Sequence, residues 1–273
     1  MKRLISICSI VLFVACSSSS WKSKDNCTPP PADMSAWWPY DSGSNTISHD
    51  IALYDNAGTA SGGVTQSASG KVDGAACFDG SSGEIVVPNH PEIDFAGDCV
   101  LDFADAFTID FWIKTDKRDG TYAILDKRLS GTNSLQGWSV YLHNGQPGFQ
   151  MATGGGNQIC GSAGSACTNF TALASPTIAD GNWHFVAVEV SARCRSARGF
   201  IYVDGAVVLN FTPRVGSISS TAPLHIFRRD PSLGSGYLGG CLDELEIFRH
   251  GLSVPQLDAI WNAGAAGKCK PKK

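Results

Sequence analysis

The sequence predicts an all-β fold, a sandwich of two sheets with one short helix near the C-terminus. About a dozen short stretches are rich in β-branched and aromatic residues, and several of them alternate apolar with polar side chains. The 30 glycines of the 273-residue chain are typical of frequent turns, and few stretches have helical periodicity. One sandwich domain accommodates a chain of this length.

The predicted strands are short and are separated by turn residues. Alternation is clearest in Phe107-Thr-Ile-Asp-Phe-Trp-Ile-Lys114, where Phe107, Ile109, Phe111 and Ile113 share one face. Two hairpins are predicted around Asn144-Gly145, joining 137–143 to 146–152, and around Asp204-Gly205, joining 200–203 to 206–209. The other predicted strands are 36–41, 58–65, 70–80, 84–88, 122–127, 183–190, 223–227 and 241–248.

The predicted helix covers residues 253–262. Ser253 is a favourable N-cap, Pro255 lies in the first turn, and Gly264 follows the last turn. Leu257, Ile260 and Trp261 form an apolar stripe that should pack against the sandwich.

The strand at 242–248 is expected to lie centrally. Simple alternation places Cys241 and Asp243 on the face of Leu245 and Ile247, with Glu244 and Glu246 on the opposite face. A carboxylate on a buried face needs a cation or several N–H donors as partners.

Residues 1–15 resemble an export signal, with Lys2 and Arg3 preceding an apolar stretch too short to span a bilayer. Phe13-Val-Ala-Cys16 is similar to a bacterial lipobox, which predicts lipidation of Cys16 and a flexible tether over 16–26. The alternative is an ordinary secretion signal cut near Ala15.

Ten cysteines are present. Cys8 would leave with the signal and Cys16 would carry lipid, so an even set of eight remains in an exported protein. This pattern favours disulfides, and no CxxC spacing supports a zinc site. Sequence alone leaves 105 pairings open. The formal net charge of −4 gives no indication of nucleic-acid binding.

Eight segments in order resemble the bacterial laminin-G-like domains of the concanavalin A-like lectin/glucanase superfamily. They are Trp37-Trp-Pro39, Gly70-Lys-Val72, Cys77-Phe-Asp-Gly80, 107–114, Gly181-Asn-Trp-His184, Tyr202-Val-Asp-Gly205, Gly240-Cys-Leu-Asp-Glu244 and Leu252-Ser253. The resemblance covers about 27–269 and leaves 270–273 as a tail; the basic run from Lys268 is most simply solvated. It implies a two-sheet jelly roll, often stabilised by calcium, that binds glycans or proteins.

The resemblance also implies disulfide partners through the strands that it places side by side. The implied pairs are Cys27 with Cys269, Cys77 with Cys241, Cys99 with Cys194, and Cys160 with Cys167.

In the same superfamily a calcium ion often links the end of the first strand to the last strand. This implies Asp41, Asn45 and Asp243 as metal ligands, since Ca²⁺ prefers several oxygen donors. The alternative is that Asp243 caps N–H groups of a neighbouring loop.

The polar faces of the long strands suggest a sugar site. Sugars pair an aromatic surface with polar groups for their hydroxyls. The candidate ligand-binding residues are Asp110, Trp112, Tyr141, His143 and Gln150. The alternative is that this face is covered by loops and that Trp112 belongs to the core.

No catalytic residues are predicted. Superfamily hydrolases carry acids in a Glu-x-Asp-x-x-Glu pattern on one strand, whereas here Cys241 occupies the position of the first acid. The sequence therefore favours a non-enzymatic carbohydrate-binding module, secreted or lipid-anchored at a bacterial cell surface. The alternatives are a protein-binding adhesion module and, third, a glycan-cleaving enzyme. Membrane contact is expected only through the lipid.

Overall fold

The computed structural model describes residues 26–41, 47–95, 106–132, 134–155, 168–192, 198–213 and 216–271. These residues form two antiparallel β-sheets stacked as a sandwich, together with one α-helix near the C-terminus. The predicted all-β, jelly-roll-like sandwich with a single short helix is confirmed.

The strands are β1 (Met34–Trp38), β2 (Thr59–Ser61), β3 (Val64–Val72), β4 (Gly74–Asp79), β5 (Glu84–Val87), β6 (Phe107–Lys114), β7 (Thr121–Gly131), β8 (Ser134–His143), β9 (Gln146–Thr153), β10 (Asn169–Leu173), β11 (Trp183–Ala192), β12 (Arg198–Val203), β13 (Ala206–Phe211), β14 (Leu224–Ile226) and β15 (Gly239–Phe248). The helix α1 spans Val254–Ala263, and short 3₁₀ turns cover Pro91–Ile93, Pro231–Leu233 and Gly264–Ala266.

The eight-stranded sheet has the order β13-β12-β11-β6-β15-β4-β3, and β1 also pairs with β15. The seven-stranded sheet has the order β10-β9-β8-β7-β14-β5-β2. Strand β15 therefore has neighbours on both sides, which confirms its predicted central place. Strand β10 was not predicted, because its five residues follow a glycine-rich stretch that resembles a loop.

The main core lies between the two sheets. Phe107, Ile109, Phe111 and Ile113 of β6 are fully buried in it, as the alternation predicts. Because alternate residues of each strand face this core, the remaining side chains form the two outer faces of the sandwich.

Both predicted hairpins form at the expected turns. Asn144 and Gly145 have φ of 51° and 79°, and Asp204 and Gly205 have φ of 49° and 79°. These left-handed values match the twist of the strands that each turn joins. The first hairpin fixes the register of β8 with β9, which becomes important for the site.

Helix α1 covers part of the outer face of the eight-stranded sheet. Its buried residues Leu257 and Ile260 form a second small core with Trp112, Phe185 and other sheet residues. The side-chain oxygen of Gln256 accepts a hydrogen bond from the Ser253 N–H at 2.9 Å, which satisfies one donor at the helix start.

A β-bulge in β15 changes the faces that alternation predicts. The register against β6 shifts between Asp243 and Glu246, and Glu244 has a positive φ of 49°. Leu245 and Ile247 therefore enter the main core, whereas Asp243 lies opposite Trp112 on the outer side. The predicted shared face is wrong because the bulge adds a residue to the strand.

Two cystines join distant parts of the chain. Cys27 bonds to Cys269, and Cys77 bonds to Cys241, its direct partner across β4 and β15. Both are pairs that the family resemblance implies. The other predicted cysteines (Cys16, Cys99, Cys160, Cys167 and Cys194) lie outside the described residues.

Candidate functional site

Asp41 and Asp243, two of the predicted calcium ligands, lie in or near a buried group of charges on the outer face of the eight-stranded sheet. We call Glu244, Glu246, Lys268, Lys270 and Asp41 the ion cluster. Nζ of Lys268 contacts Glu246 Oε1 and lies 3.2 Å from Glu244 Oε2. Nζ of Lys270 lies 2.7 Å from Glu244 Oε1 and 2.7 Å from Asp41 Oδ2. The first and last parts of the domain are thus joined by ion pairs.

The environment of Lys268 keeps its ammonium charged. Burial alone lowers the pKa of Lys268, but the carboxylates of Glu246, Glu244 and Asp110 outweigh this and raise it well above its ordinary value. Only 4% of Lys268 is exposed, and the Lys270 side chain is largely buried. The expectation of a solvated basic run is therefore wrong for these two lysines.

Asp243 behaves as a backbone cap. Its Oδ2 accepts a hydrogen bond from the Val72 N–H at 2.8 Å, the arrangement named above as the alternative to calcium. Burial, with the nearby charge of Glu244, raises the pKa of Asp243 to about 8. Without a bound ion, this carboxyl is therefore mainly protonated at neutral pH.

The described side chains do not fit a calcium site between Asp41 and Asp243. Both carboxylate oxygens of Asp41 accept hydrogen bonds from Lys270, at 2.8 and 2.7 Å. Within the described ranges no group of three or more His, Cys, Asp or Glu side chains is arranged to hold a metal. Asn45 lies outside those ranges. Calcium binding stays a prediction.

Trp112 and Asp110 do not share a surface with the other predicted ligand-binding residues. Both lie on β6, on the outer face of the eight-stranded sheet. Trp112 is 4% exposed and packs against Phe185, with Lys71 Nζ 4.2 Å from its ring centre. Asp110 is 1% exposed, and burial raises its pKa to about 7 against the opposing charge of Lys268. Trp112 therefore belongs to the small core under α1, the alternative stated above.

Tyr141, His143 and Gln150 do come together. They line a cleft of about 320 Å³ on the outer face of the seven-stranded sheet, which we call the β8–β9 cleft. Its apolar lining consists of Ala123, Leu173 and the Tyr141 ring. Its polar lining consists of Thr121, Arg128, His143, Gln150, Thr171 and Arg229. Three of the five predicted residues therefore form one surface.

Strand register explains this grouping. Tyr141 lies opposite Ala123 on β7 and Gly148 on β9, and Gln150 lies opposite Thr171 on β10. Side chains opposite one another point to the same face of a sheet. Gly148 leaves room for the phenol, because a Cβ there would lie 2.3 Å from the Tyr141 ring. The ring therefore lies over the backbone of β9 at Gly148.

The floor of the cleft is held by a chain of hydrogen bonds among residues of β7, β9 and β10. The Arg128 guanidinium binds Asp126 through Nε at 2.6 Å and also through Nη2, while Nη1 contacts Gln150 Oε1. Gln150 Nε2 donates to Asn169 Oδ1 at 2.6 Å. Asp126 is fully buried, so moving Arg128 away would leave the Asp126 carboxylate buried and without a compensating charge. Arg128 is therefore fixed in place.

The phenol of Tyr141 is a neutral donor. It hydrogen-bonds to the Ala172 carbonyl at 3.3 Å, and burial raises its pKa to about 12, although the charge of Arg128 opposes this. At the rim, the His143 ring lies 2.7 Å from the Thr121 hydroxyl, and Arg229 donates to the Thr121 carbonyl at 3.2 Å.

Sequence reasoning missed both arginines of the cleft. Arg128 follows the predicted end of its strand at 127, whereas β7 continues to Gly131. Its position two residues after Asp126 was the available signal, since i and i+2 share a face of a strand. Arg229 lies beyond β14, and no local pattern places it beside Thr121.

Comparison with known proteins assigns the chain to a family. A family model described as the concanavalin A-like lectin/glucanases superfamily, of the laminin-G type, matches residues 79–258. No curated protein matches the sequence. Within the described ranges no helix has the length and apolar content needed to cross a bilayer.

Three solved structures illustrate the similarity. The binding domain of Paraclostridial Mosquitocidal Protein 1 has a TM-score of 0.64 at 16% identity, covering 85% of this chain and 52% of that chain. The binding domain of Botulinum Neurotoxin DC in complex with SialylT has a TM-score of 0.60 at 15% identity, covering 85% and 51%. The same toxin domain in complex with rat synaptotagmin II has a TM-score of 0.58 at 16% identity, covering 82% and 50%.

The chain spans about half the length of these binding domains, and identities this low establish the fold alone. The family match, in contrast, covers more than half of the chain, and the two-sheet sandwich agrees with it. The chain belongs to the concanavalin A-like lectin/glucanases superfamily.

Proposed function

We propose that this protein is a lectin-like module that binds carbohydrate in the β8–β9 cleft. The observation that carries the proposal is the cleft itself, in which one tyrosine ring and a hydrogen-bonding rim share a rigid sheet surface. Sugars present apolar C–H faces together with hydroxyls, and this pairing of surfaces suits them.

The rigidity of the cleft supports binding. Its main side chains lie on paired strands, and Arg128 is fixed by buried Asp126. Groups that are already positioned lose little conformational freedom when a ligand arrives.

The lining supports binding over catalysis. Glycoside hydrolysis generally uses two carboxyl groups about 5–10 Å apart. The described lining of the cleft contains no Asp or Glu side chain, and nearby Asp126 is fully buried and paired with Arg128. The similar structures named above are binding domains, one of them titled as a complex with SialylT.

We further propose that the module is exported and anchored at a bacterial cell surface through a lipid on Cys16. The two cystines support an oxidising compartment, since such bonds are rare in the cytosol. The short apolar segment before Cys16 supports export.

A protein ligand is the second candidate. One similar toxin domain is titled as a complex with synaptotagmin II. Here β13 ends the eight-stranded sheet with Val207 43% exposed, and an edge strand can pair with an extended peptide.

The test is a glycan array on the chain from residue 27 onward, followed by calorimetric titration of the best hit. Tyr141→Ala should bind about fivefold more weakly, because an aromatic contact contributes about 1 kcal/mol and 1.4 kcal/mol is a factor of ten. Tyr141→Phe keeps the ring and should bind within about threefold of the parent, as should Tyr54→Ala, whose exposed ring lies elsewhere.

Equal affinity of Tyr141→Ala and the parent would place the sugar outside the cleft. The protein ligand would be favoured by two results together. No glycan on the array would bind, and an extended peptide would bind to the parent but not to Val207→Glu. Melting temperatures of all variants serve as the folding control.

A further inference from the structure

The charges of the β8–β9 cleft indicate a more specific ligand. Its described lining contains two guanidinium groups and one imidazole but no carboxylate. Asp126, behind the lining, compensates Arg128. Among the residues that the structure describes, no carboxylate pairs with Arg229, in a protein whose formal net charge is −4.

The three arginines near this surface differ in their partners. Arg128 is paired with Asp126, and Arg228 contacts Glu84 and stacks on Tyr237 at 4.8 Å. Within the described part of the chain, the guanidinium of half-buried Arg229 makes one hydrogen bond, to the Thr121 carbonyl, and no carboxylate lies within 4 Å of it. A lone cation at a surface is ordinary, but Arg229 lines the same cleft as the Tyr141 ring.

The hydrogen-bonding groups of the cleft are also unbalanced. Gln150 has used its oxygen on Arg128 and a nitrogen on Asn169, and the Tyr141 hydroxyl donates to the Ala172 carbonyl. Arg128 uses three of its five N–H groups on described side chains, and Arg229 uses one. The surplus in the cleft is therefore one of donors, which favours a ligand rich in acceptors.

We propose that the cleft takes an acidic saccharide whose carboxylate pairs with the guanidinium of Arg229 while its ring lies against Tyr141. This rests on the proposed carbohydrate binding and adds the charge of the ligand to it. Arginine offers a planar pair of donors that matches a carboxylate, and such charge-assisted bonds are stronger than those to a hydroxyl.

The test compares saccharides that differ only in charge. Titrations would use trigalacturonic acid against its methyl ester, and sialyllactose against lactose, with sulfated lactose as a third anion. We expect the acidic member of at least one pair to bind at least tenfold more tightly than its neutral partner, with affinity falling as salt rises.

Variants then locate the charge. Arg229→Gln should abolish most of the preference for the acidic member, and Arg229→Lys should retain part of it. Arg198→Gln removes the same charge from an exposed position on the other sheet and should leave the preference unchanged.

The outcomes separate the two proposals. If both members of each pair bind equally, the acidic-ligand inference fails while carbohydrate binding stands. If sulfated lactose binds as tightly as the carboxylated sugars, the carboxylate assignment is overturned. If no saccharide binds, both proposals fail. If Arg198→Gln loses the preference as Arg229→Gln does, the effect is one of overall charge and the inference is again overturned.

Discussion

Replacing Lys268 by methionine would leave Glu246 and Asp110 buried without the ammonium group that now compensates them. Methionine keeps the length and apolar character of the lysine stem, so the change removes chiefly the ammonium. Lys270 still lies 2.7 Å from Glu244 and compensates that carboxylate. Glu246 loses its ammonium partner, and Lys268 is the cation that opposes the burial-raised pKa values of both Glu246 and Asp110.

The expected loss depends on pH. Breaking a buried ion pair costs about 3–5 kcal/mol, out of a total stability of about 5–15 kcal/mol. Burial already raises the pKa of Glu246 well above its ordinary value and that of Asp110 to about 7. Folded-state acids with raised pKa values favour the folded state at low pH and oppose it as they ionise. We therefore expect a loss of about 3–4 kcal/mol at pH 8 but only about 1 kcal/mol at pH 5.

Urea unfolding followed by tryptophan fluorescence measures this directly. Trp37 reports on the cluster, because its ring centre lies 5.3 Å from Lys268 Nζ and its indole N–H donates to Glu244. Adding Glu246→Gln to the methionine variant should recover part of the loss at pH 8. Lys114→Met, at an exposed position, should change stability by less than about 0.5 kcal/mol. A loss below about 1 kcal/mol at pH 8, or a larger loss at pH 5 than at pH 8, would refute the reasoning.

Three further predictions concern other parts of the sandwich. Replacing Cys77 and Cys241 together by serine should lower the unfolding free energy by about 2–5 kcal/mol, measured by urea denaturation; no change would mean that this cystine restricts the unfolded chain little. Burial raises the pKa of Glu189 to about 7, so the native state loses stability as the pH rises from about 5 to 8. Glu189→Gln should therefore be about 2 kcal/mol more stable than the parent at pH 8, and the two proteins should be equally stable at pH 5. EDTA should leave the melting temperature unchanged, because Lys270 already binds Asp41 and Asp243 caps Val72; a drop restored by calcium would show that an ion links them after all.

The sequence predicted features that depend on alternation and turn chemistry. The buried row of β6 and the turn at Asn144-Gly145 follow from the two-residue period of strands and from the left-handed conformation that these turn residues tolerate. The hairpin then carried Tyr141 and Gln150 to one face. These features are local, so the pattern alone determines them.

Other features depend on contacts between distant segments. The bulge at Glu244 reversed the face of Asp243, and no residue type nearby marks that bulge. Trp112 has the alternation of an outward residue, but α1 covers it from more than 140 positions further along the chain. Arg229 enters the cleft through a loop after β14. Sequence patterns describe neighbours along the chain, and these three placements depend on neighbours in space.

The Cys27–Cys269 cystine affects how the domain would be oriented if it were anchored at one end. It joins the two ends of the domain, and a bridge between Thr28 and Lys268 lies next to it. Lys268 reaches the outer face of the eight-stranded sheet, whereas the β8–β9 cleft opens on the far side of the sandwich. An anchor attached at either end of the domain would therefore lie on the side of the eight-stranded sheet. The β8–β9 cleft would face away from that anchor and be accessible to a ligand.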